Sequence, residues 1–379
     1  MSRLVALCCL LLVVPLAGCG QARRAGPVHR PEPPKTAGLA LSYLGQRTVA
    51  SDATFDGTVI GGLSGISYDP GRQLYYVISD DRSDKNPVRF YTVRLSLSDR
   101  GIDDVLFTGT HPLLDRSGQR FGPLNTDSDP PVAPPDPEGI AFDKTRQQLY
   151  WCSEGARIID VPVLLDPWVR TAGLNGGYKG EFTLPPNLAM SAKRTGPRRN
   201  RGLEGLTLTP DGRWLFTAME DPGYNDGPEA NGNQPVLTRI TKFDPNAPLP
   251  VAQYAYPMEP PAGSADRNGV SDLVALSDAT FLVLERTPAL PPVTRIFRAE
   301  IGSATDVLAM PSMLDSPLTA MSKSLVVDLA ATPGLPPVAN IEGITLGPTL
   351  PDGRQSVVMV SDNDFSPIPA TSFLLFALS

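Results

Sequence analysis

The chain has 379 residues and a formal net charge of −7, with 33 Lys and Arg against 40 Asp and Glu, and only two His and four Cys. The acidic balance argues against nucleic acid as a partner and for cations or cation-bridged ligands. So few His and Cys leave no thiolate zinc cluster and little room for a Ser-His-Asp triad, and no nucleotide cofactor is expected.

The first element is an export signal. Arg3 precedes an apolar run over residues 4–14, too short for a stable membrane span, and Leu16-Ala17-Gly18 leads into Cys19. Residues 1–18 thus read as a lipoprotein signal peptide. The Leu-Ala-Gly-Cys tetrad resembles the bacterial lipobox, so Cys19 is the expected lipidation site and the first residue of the mature chain; the alternative is an ordinary secretory cut at Ala17 or Gly18. Gly20 rather than Asp follows the cysteine, which points to the periplasmic face of the outer membrane if the source is Gram-negative. Residues 19–38, rich in Pro, Arg and Gly, read as a flexible tether. Cys8 and Cys9 belong to the signal, so Cys152 stands alone and no intramolecular disulfide is expected in the mature chain. Flanked by Trp151 and Ser153, it reads as a buried small side chain.

Residues 39–379 carry no long linker and are read as one all-β domain, expected as a monomer. A repeated hairpin organises them. Leu63-Ser64-Gly65-Ile66 runs through a turn to Tyr75-Tyr76-Val77-Ile78-Ser79-Asp80-Asp81. Glu138-Gly139-Ile140 leads to Trp151-Cys152-Ser153-Glu154, Glu204-Gly205-Leu206 to Ala218-Met219-Glu220-Asp221, and Val270-Ser271-Asp272-Leu273 to Leu284-Glu285-Arg286. The fifth copy runs from Glu342-Gly343-Ile344 to Val360-Ser361-Asp362-Asn363-Asp364. Each is two apolar, β-branched or aromatic runs joined by an Asp/Gly/Pro turn, and further strand-like runs follow at residues 90–97, 236–243, 293–301 and 373–378. The pattern predicts a β-propeller of four-stranded antiparallel blades. Five blades are favoured, six being possible if one hairpin has lost its motif, and residues 39–49 supply the outer strand that closes the ring.

Antiparallel pairing places the start of each first strand beside the end of the second, so the acids of every repeat share one rim. The strand-end acids Asp80, Asp81, Glu154, Glu220, Asp221, Glu285, Asp362 and Asp364 are candidate metal ligands; an all-oxygen set suits Ca²⁺, or less well Mg²⁺. The neighbouring acid pairs read as more functional than the single acids. Glu138, Glu204 and Glu342 either contact substrate or accept backbone hydrogen bonds from the next blade. Basic residues border the same rim: Arg82, Arg157 and Arg286 follow strand-end acids, and Lys193, Arg194, Arg198, Arg199 and Arg201 fill the loop before Glu204. A basic run of this kind is either a solvated loop or a source of anion donors.

The set Glu-Gly-Ile/Leu, turn, strand and Ser-Asp-Asp or Ser-Asp-Asn, with Val270-Ser271-Asp272-Leu273 and Leu284-Glu285-Arg286, resembles the phytase-like family described as having esterase-like activity, over roughly residues 55–378. The resemblance implies a relation to β-propeller phytases, whose acidic channel mouth holds calcium ions that bridge substrate phosphates. On that footing the chain is expected to be a Ca²⁺-assisted hydrolase of small phosphoesters or esters, with Glu138, Glu204, Glu342, Arg201 and Arg286 as candidate catalytic groups. A lactonase or carboxylesterase using the same metal site is one alternative, and a non-catalytic envelope binding or scaffolding propeller is the other. The lysine-rich phosphate surface of a phytase is not evident; arginine dominates here.

Overall fold

Five four-stranded antiparallel sheets form a ring, each running outward from an innermost strand. The computed structural model describes residues 38–379 apart from 161–162, 233–234, 264, 290–291, 315–316, 339 and 369. The expected signal peptide, Cys19 and all but the last residue of the tether lie outside the described residues. Blade 1 comprises Leu63–Asp69, Leu74–Ser79, Arg89–Ser98 and Gly101–Pro112, and blade 2 Pro137–Asp143, Gln148–Ser153, Trp168–Ala172 and Tyr178–Glu181. Blade 3 is Leu203–Leu208, Leu215–Met219, Val236–Asp244 and Leu249–Met258; blade 4 is Gly269–Ala275, Thr280–Thr287, Val293–Glu300 and Ser322–Asp328. Blade 5 takes Ile341–Thr349, Gln355–Ser361 and Thr371–Leu378 from the end of the chain, and its outer strand, Leu41–Val49, from the beginning. The blade count and the closing strand are those expected from the repeats. Closure in this way ties the first strand of the ring to its last blade through a continuous backbone ladder.

Alternating side chains build the spaces between blades. In Leu74–Ser79, Leu74, Tyr76 and Ile78 pack against Ile140, Phe142 and Trp151 of blade 2, while Tyr75 and Val77 pack against Val358, Val360 and Phe373 of blade 5. Because both faces of each sheet are covered, the strands read as continuous apolar runs rather than a polar–apolar alternation. The turns repeat as well. Asp69 accepts hydrogen bonds from the backbone of Gly71 and Arg72 and pairs with Arg72 at 2.8 Å; Asp143 does the same with Thr145, Arg146 and the Arg146 side chain.

The innermost strands pack against one another around the axis, and the glycine of the repeat makes this possible. A Cβ on Gly139 would lie 2.6 Å from Leu206 Cβ and 2.8 Å from Glu204 O, and one on Gly65 would lie 2.5 Å from Glu138 O. Gly139→Ala is therefore expected to cost about 1–3 kcal/mol in urea unfolding, through displacement of blade 3 from blade 2. An unchanged midpoint would show that the axis tolerates the extra carbon. Cys152 is buried at the same contact, its thiol 3.4 Å from Glu204 O, and burial pushes its pKa up, as suits an inert packing residue.

Candidate functional site

The registers align the five hairpins residue by residue. Leu63 pairs with Ser79, Pro137 with Ser153, Leu203 with Met219, Val270 with Glu285 and Ile341 with Ser361. Immediately after each of these pairs, the innermost strand carries a register shift of the β-bulge type, at the residue that follows Leu63, Pro137, Leu203, Val270 or Ile341. A bulge re-aims a side chain without breaking the sheet. The five re-aimed residues are Ser64, Glu138, Glu204, Ser271 and Glu342. A second ring lies one residue past the paired residue of each second strand: Asp80, Glu154, Glu220, Arg286 and Asp362, of which Arg286 still lies within its strand.

These rings converge on a cavity of about 260 Å³ at one mouth of the channel. Its wall includes Asp80, Glu138, Glu204, Glu220, Glu342 and Asp364, with Arg82, Arg267 and Arg286 and the amides Asn200 and Asn340. Glu154 and Asp362 stand at its edge, each within a cluster of three carboxylates. Asp80, Asp362 and Asp364 bring oxygens within 4.8 Å of one another, as do Asp136, Glu138 and Glu154. Asn200, Asn340 and Asp364 have positive φ, a conformation that Asn and Asp adopt more readily than other side chains and that marks local backbone strain at this wall. A larger cavity, about 430 Å³, opens at the far end of the same five strands, but no carboxylate lines it.

A family model for phytase-like proteins, described as esterase-like activity of phytase, matches residues 58–365. The chain belongs to the phytase-like family. No curated protein matches it by sequence. Among solved structures, this phytase-like chain is similar to an exo-β-1,3-galactanase from Phanerochaete chrysosporium, at 13% identity and a TM-score of 0.44 over 88% of this chain and 64% of that one. It is also similar to the GH43 protein BlXynB from Bacillus licheniformis, at 9% identity and a TM-score of 0.44 over 88% and 56%. A putative oxidoreductase (glucose dehydrogenase) from Thermus thermophilus gives 15% identity and a TM-score of 0.34 over 85% of both chains. The chain thus spans less than two thirds of the galactanase and of BlXynB, and likenesses this distant say nothing of its activity.

Within the phytase-like propeller, the mouth divides the expected site residues into two groups. Glu138, Glu204, Glu342 and Arg286 line the cavity, as do Asp80, Glu220 and Asp364. Asp81, Asp221, Glu285 and Arg201 do not. Asp81 accepts backbone hydrogen bonds from Asp84, Lys85 and Asn86 and pairs with buried Arg89 at 2.7 Å. Asp221 accepts from Ala230 N and pairs with Arg201 at 3.3 Å, and Glu285 accepts from Tyr256, Asn268 and the backbone of Glu259. Successive residues of an extended chain point to opposite sides, so in Asp80-Asp81 and Glu220-Asp221 one acid faces the channel and the other anchors a loop, whereas Asp362 and Asp364, two residues apart, stay in one cluster. Asp81 and Asp221 are thus held by loop hydrogen bonds and ion pairs, while their neighbours Asp80 and Glu220 line the cavity. Asp136, Asn200, Arg267 and Asn340 escaped the sequence reading because each sits outside the hairpin motif; Asp136, two residues before the Glu138-Gly139 pair, had the nearest thing to a signal.

The electrostatics are strained. Burial pushes the Glu138 carboxyl well above the usual range, and Glu204, Asp136, Glu154 and Asp80 add to it. Glu204 is raised by burial and then by Glu220, Glu154 and Glu342, and Asp80 by burial and then by Asp362 and Glu342. Glu342 reaches about 7 because burial outweighs Arg286, whose guanidinium stands 3.1 Å away. Burial alone would lower the Arg286 pKa, but Glu342, Glu220 and Glu204 raise it, so it stays charged. Few of these acids are satisfied by the protein. Glu138 accepts from Ser64 Oγ at 2.6 Å and Glu154 Oε2 from Gly202 N at 2.7 Å, but Glu154 Oε1 and Asp136 Oδ1 are buried with no N–H or hydroxyl donor, only a carboxyl proton shared among Asp136, Glu154 and Glu138. Arg82 approaches Asp136 Oδ2 at 2.6 Å, an ion-pair contact without hydrogen-bond alignment. Orphaned oxygens in an all-oxygen donor set fit a hard divalent cation.

Proposed function

We propose that this phytase-like protein is a divalent-cation-dependent hydrolase of small phosphate or carboxylic esters, calcium being the best-matched ion, exported and held to a membrane through lipidated Cys19. The observation that carries the reading is the pair of three-carboxylate clusters on one mouth, with two buried oxygens that no N–H or hydroxyl donor reaches. Asp80, Asp362 and Asp364 would hold one cation, and Asp136, Glu138 and Glu154 another. A cation bound there supplies Lewis acidity toward an ester oxygen and lowers the pKa of water.

The chain's own groups contribute the rest. Glu342, at about 7, is poised to hold or release a proton near neutrality. The Glu204 carboxyl makes no hydrogen bond or ion pair among the described residues and faces the cavity, where, once cations offset the neighbouring acids and it ionises, it would accept a proton from an attacking water. Arg286, kept charged and fixed by Glu342 and Asn340, faces developing negative charge without reorganising. A purely scaffolding propeller would saturate its rim acids with blade-to-blade hydrogen bonds, and most acids of this cavity are not saturated in that way.

The test is turnover by the full chain in detergent, on a phosphomonoester panel that includes phytate and on p-nitrophenyl carboxylic esters, with EDTA or with Ca²⁺. Calcium-restored hydrolysis is expected, reduced roughly 100-fold or more in Asp80→Asn and in Glu154→Gln. Exposed Arg213→Gln, at a turn far from the mouth, is the control. Absence of turnover on every substrate together with absence of a calcium-induced thermal shift would leave a non-catalytic module as the better account.

A further inference from the structure

The ring is not symmetric, and its exception is blade 4. One residue past Ser79, Ser153, Met219 and Ser361, blades 1, 2, 3 and 5 carry Asp80, Glu154, Glu220 and Asp362, whereas blade 4, one residue past Glu285, carries Arg286. At the bulged position of the innermost strand, blade 4 has Ser271, whose hydroxyl donates to Ile341 O at 3.2 Å. The loop entering blade 4 adds Arg267 to the same cavity wall. One sector of an acidic mouth is thus cationic.

The three guanidiniums of the wall differ in what they hold. Arg82 is engaged with Asp136 and Asn200. Arg286 is fixed by Glu342 and Asn340, yet its Nε is buried with no acceptor. Arg267 is half-buried and its side chain makes no hydrogen bond or ion pair among the described residues; its charge is felt by Glu220, which Arg286 also approaches at 4.0 Å. An arginine held at a cavity wall without a partner, beside a second guanidinium on the same wall, offers a fork for an incoming oxyanion.

We propose that Arg267, backed by Arg286, is the seat for a phosphate-type dianion carried by the substrate, and so determines specificity for anionic over neutral esters. The two positive charges match a dianion better than a carboxylate. The term substrate rests on the hydrolase reading above; the anion seat itself does not. Six carboxylates face three guanidiniums on the wall, so the bare cavity repels anions. Cation and anion must therefore bind with positive coupling, each raising the affinity for the other by the same factor.

Calorimetric titration of the full chain with phenylphosphonate, a non-hydrolysable dianion, tests this without requiring turnover, and benzoate serves as the monoanionic carboxylate of similar shape. Phenylphosphonate is expected to bind in Ca²⁺ at least tenfold more tightly than in EDTA and more tightly than benzoate. Arg267→Gln should weaken it at least tenfold, Arg267→Lys should recover part of the loss, and Arg213→Gln should change nothing, with thermal melts confirming that each variant folds. In turnover, Arg267→Gln should raise KM for phosphate-bearing esters and leave neutral esters unaffected. Unaltered phenylphosphonate binding in Arg267→Gln, or equal affinity for benzoate, overturns the proposal. Dianion binding that depends on Arg267 in a protein with no turnover would sink the hydrolase reading alone, whereas calcium-dependent hydrolysis of neutral esters without dianion binding would sink the anion seat alone.

Discussion

In EDTA, the melting temperature of this protein is expected to fall as pH rises from 5 to 8, and Ca²⁺ is expected to abolish most of that fall. Glu342 has a folded pKa of about 7 against an ordinary 4.5, and Asp80, Glu138, Glu154, Glu204 and Asp362 are raised in the same direction. A carboxyl whose pKa is raised by folding binds more protons in the native state than in the unfolded chain. Its contribution is therefore fully present below the unfolded pKa and is lost as pH climbs through the folded one. For Glu342 alone, the interval between 4.5 and about 7 amounts to on the order of 3 kcal/mol at its upper end. Cations that neutralise the clusters take over the role of the protons, and at 100 times the dissociation constant one bound ion adds about 2.7 kcal/mol. Below pH 4 the turn carboxylates with lowered pKa, such as Asp143, lose their arginine partners and stability declines again, which places the metal-free optimum near pH 5. Differential scanning calorimetry across this range with and without Ca²⁺ is the measurement. A metal-free profile that is flat or rises toward pH 8 would mean that the mouth acids are not in electrostatic conflict.

Asp272→Ala is expected to destabilise the propeller by about 3 kcal/mol or more without altering the calcium response. In four blades the residue after the bulge is glycine: Gly65, Gly139, Gly205 and Gly343. In blade 4 it is Asp272, whose fully buried carboxylate accepts from Leu206 N of blade 3 at 3.3 Å, from Leu273 N at 2.8 Å and from Ile344 N of blade 5 at 2.8 Å. One side chain thus ties three adjacent blades at the axis. Its removal leaves three buried N–H groups without an acceptor, each costing about 1–3 kcal/mol. Asp272→Asn keeps a single carbonyl acceptor and should fall between wild type and alanine. Urea unfolding gives the magnitude, and a loss below about 1 kcal/mol for alanine would show that the blades reorganise around the missing carboxylate.

The repeated hairpin made the architecture legible. Its signals are local: two apolar runs, a turn that carries Asp, and an acid at the end of the second run, recurring five times, with a spare strand before the first copy. Short apolar runs and turn chemistry act over a few residues and leave their mark in the chain itself. Membership of the phytase-like family, and the sharing of one rim by Glu138, Glu204, Glu342, Asp80, Glu154, Glu220 and Asp362, follow from the same repetition.

The tertiary structure alone decided which of two adjacent acids faces the channel. Asp80 points in and Asp81 out, Glu220 in and Asp221 out, Arg286 in and Glu285 out, because a bulge on the neighbouring strand and the register across the hairpin set the phase of each strand end. A shift of one residue would exchange every member of these pairs. Ring closure also decided that Asp136, Asn200, Arg267 and Asn340 meet the repeats at the mouth, since loop residues carry no periodic signal and are placed by the path of the chain between blades. The sequence by itself determined a ring of four-stranded blades, five favoured over six, and the acidity of one rim; the tertiary structure settled the count at five and determined the two carboxylate clusters and the cationic sector of blade 4, because side-chain direction at a strand end depends on pairing partners far away in the chain.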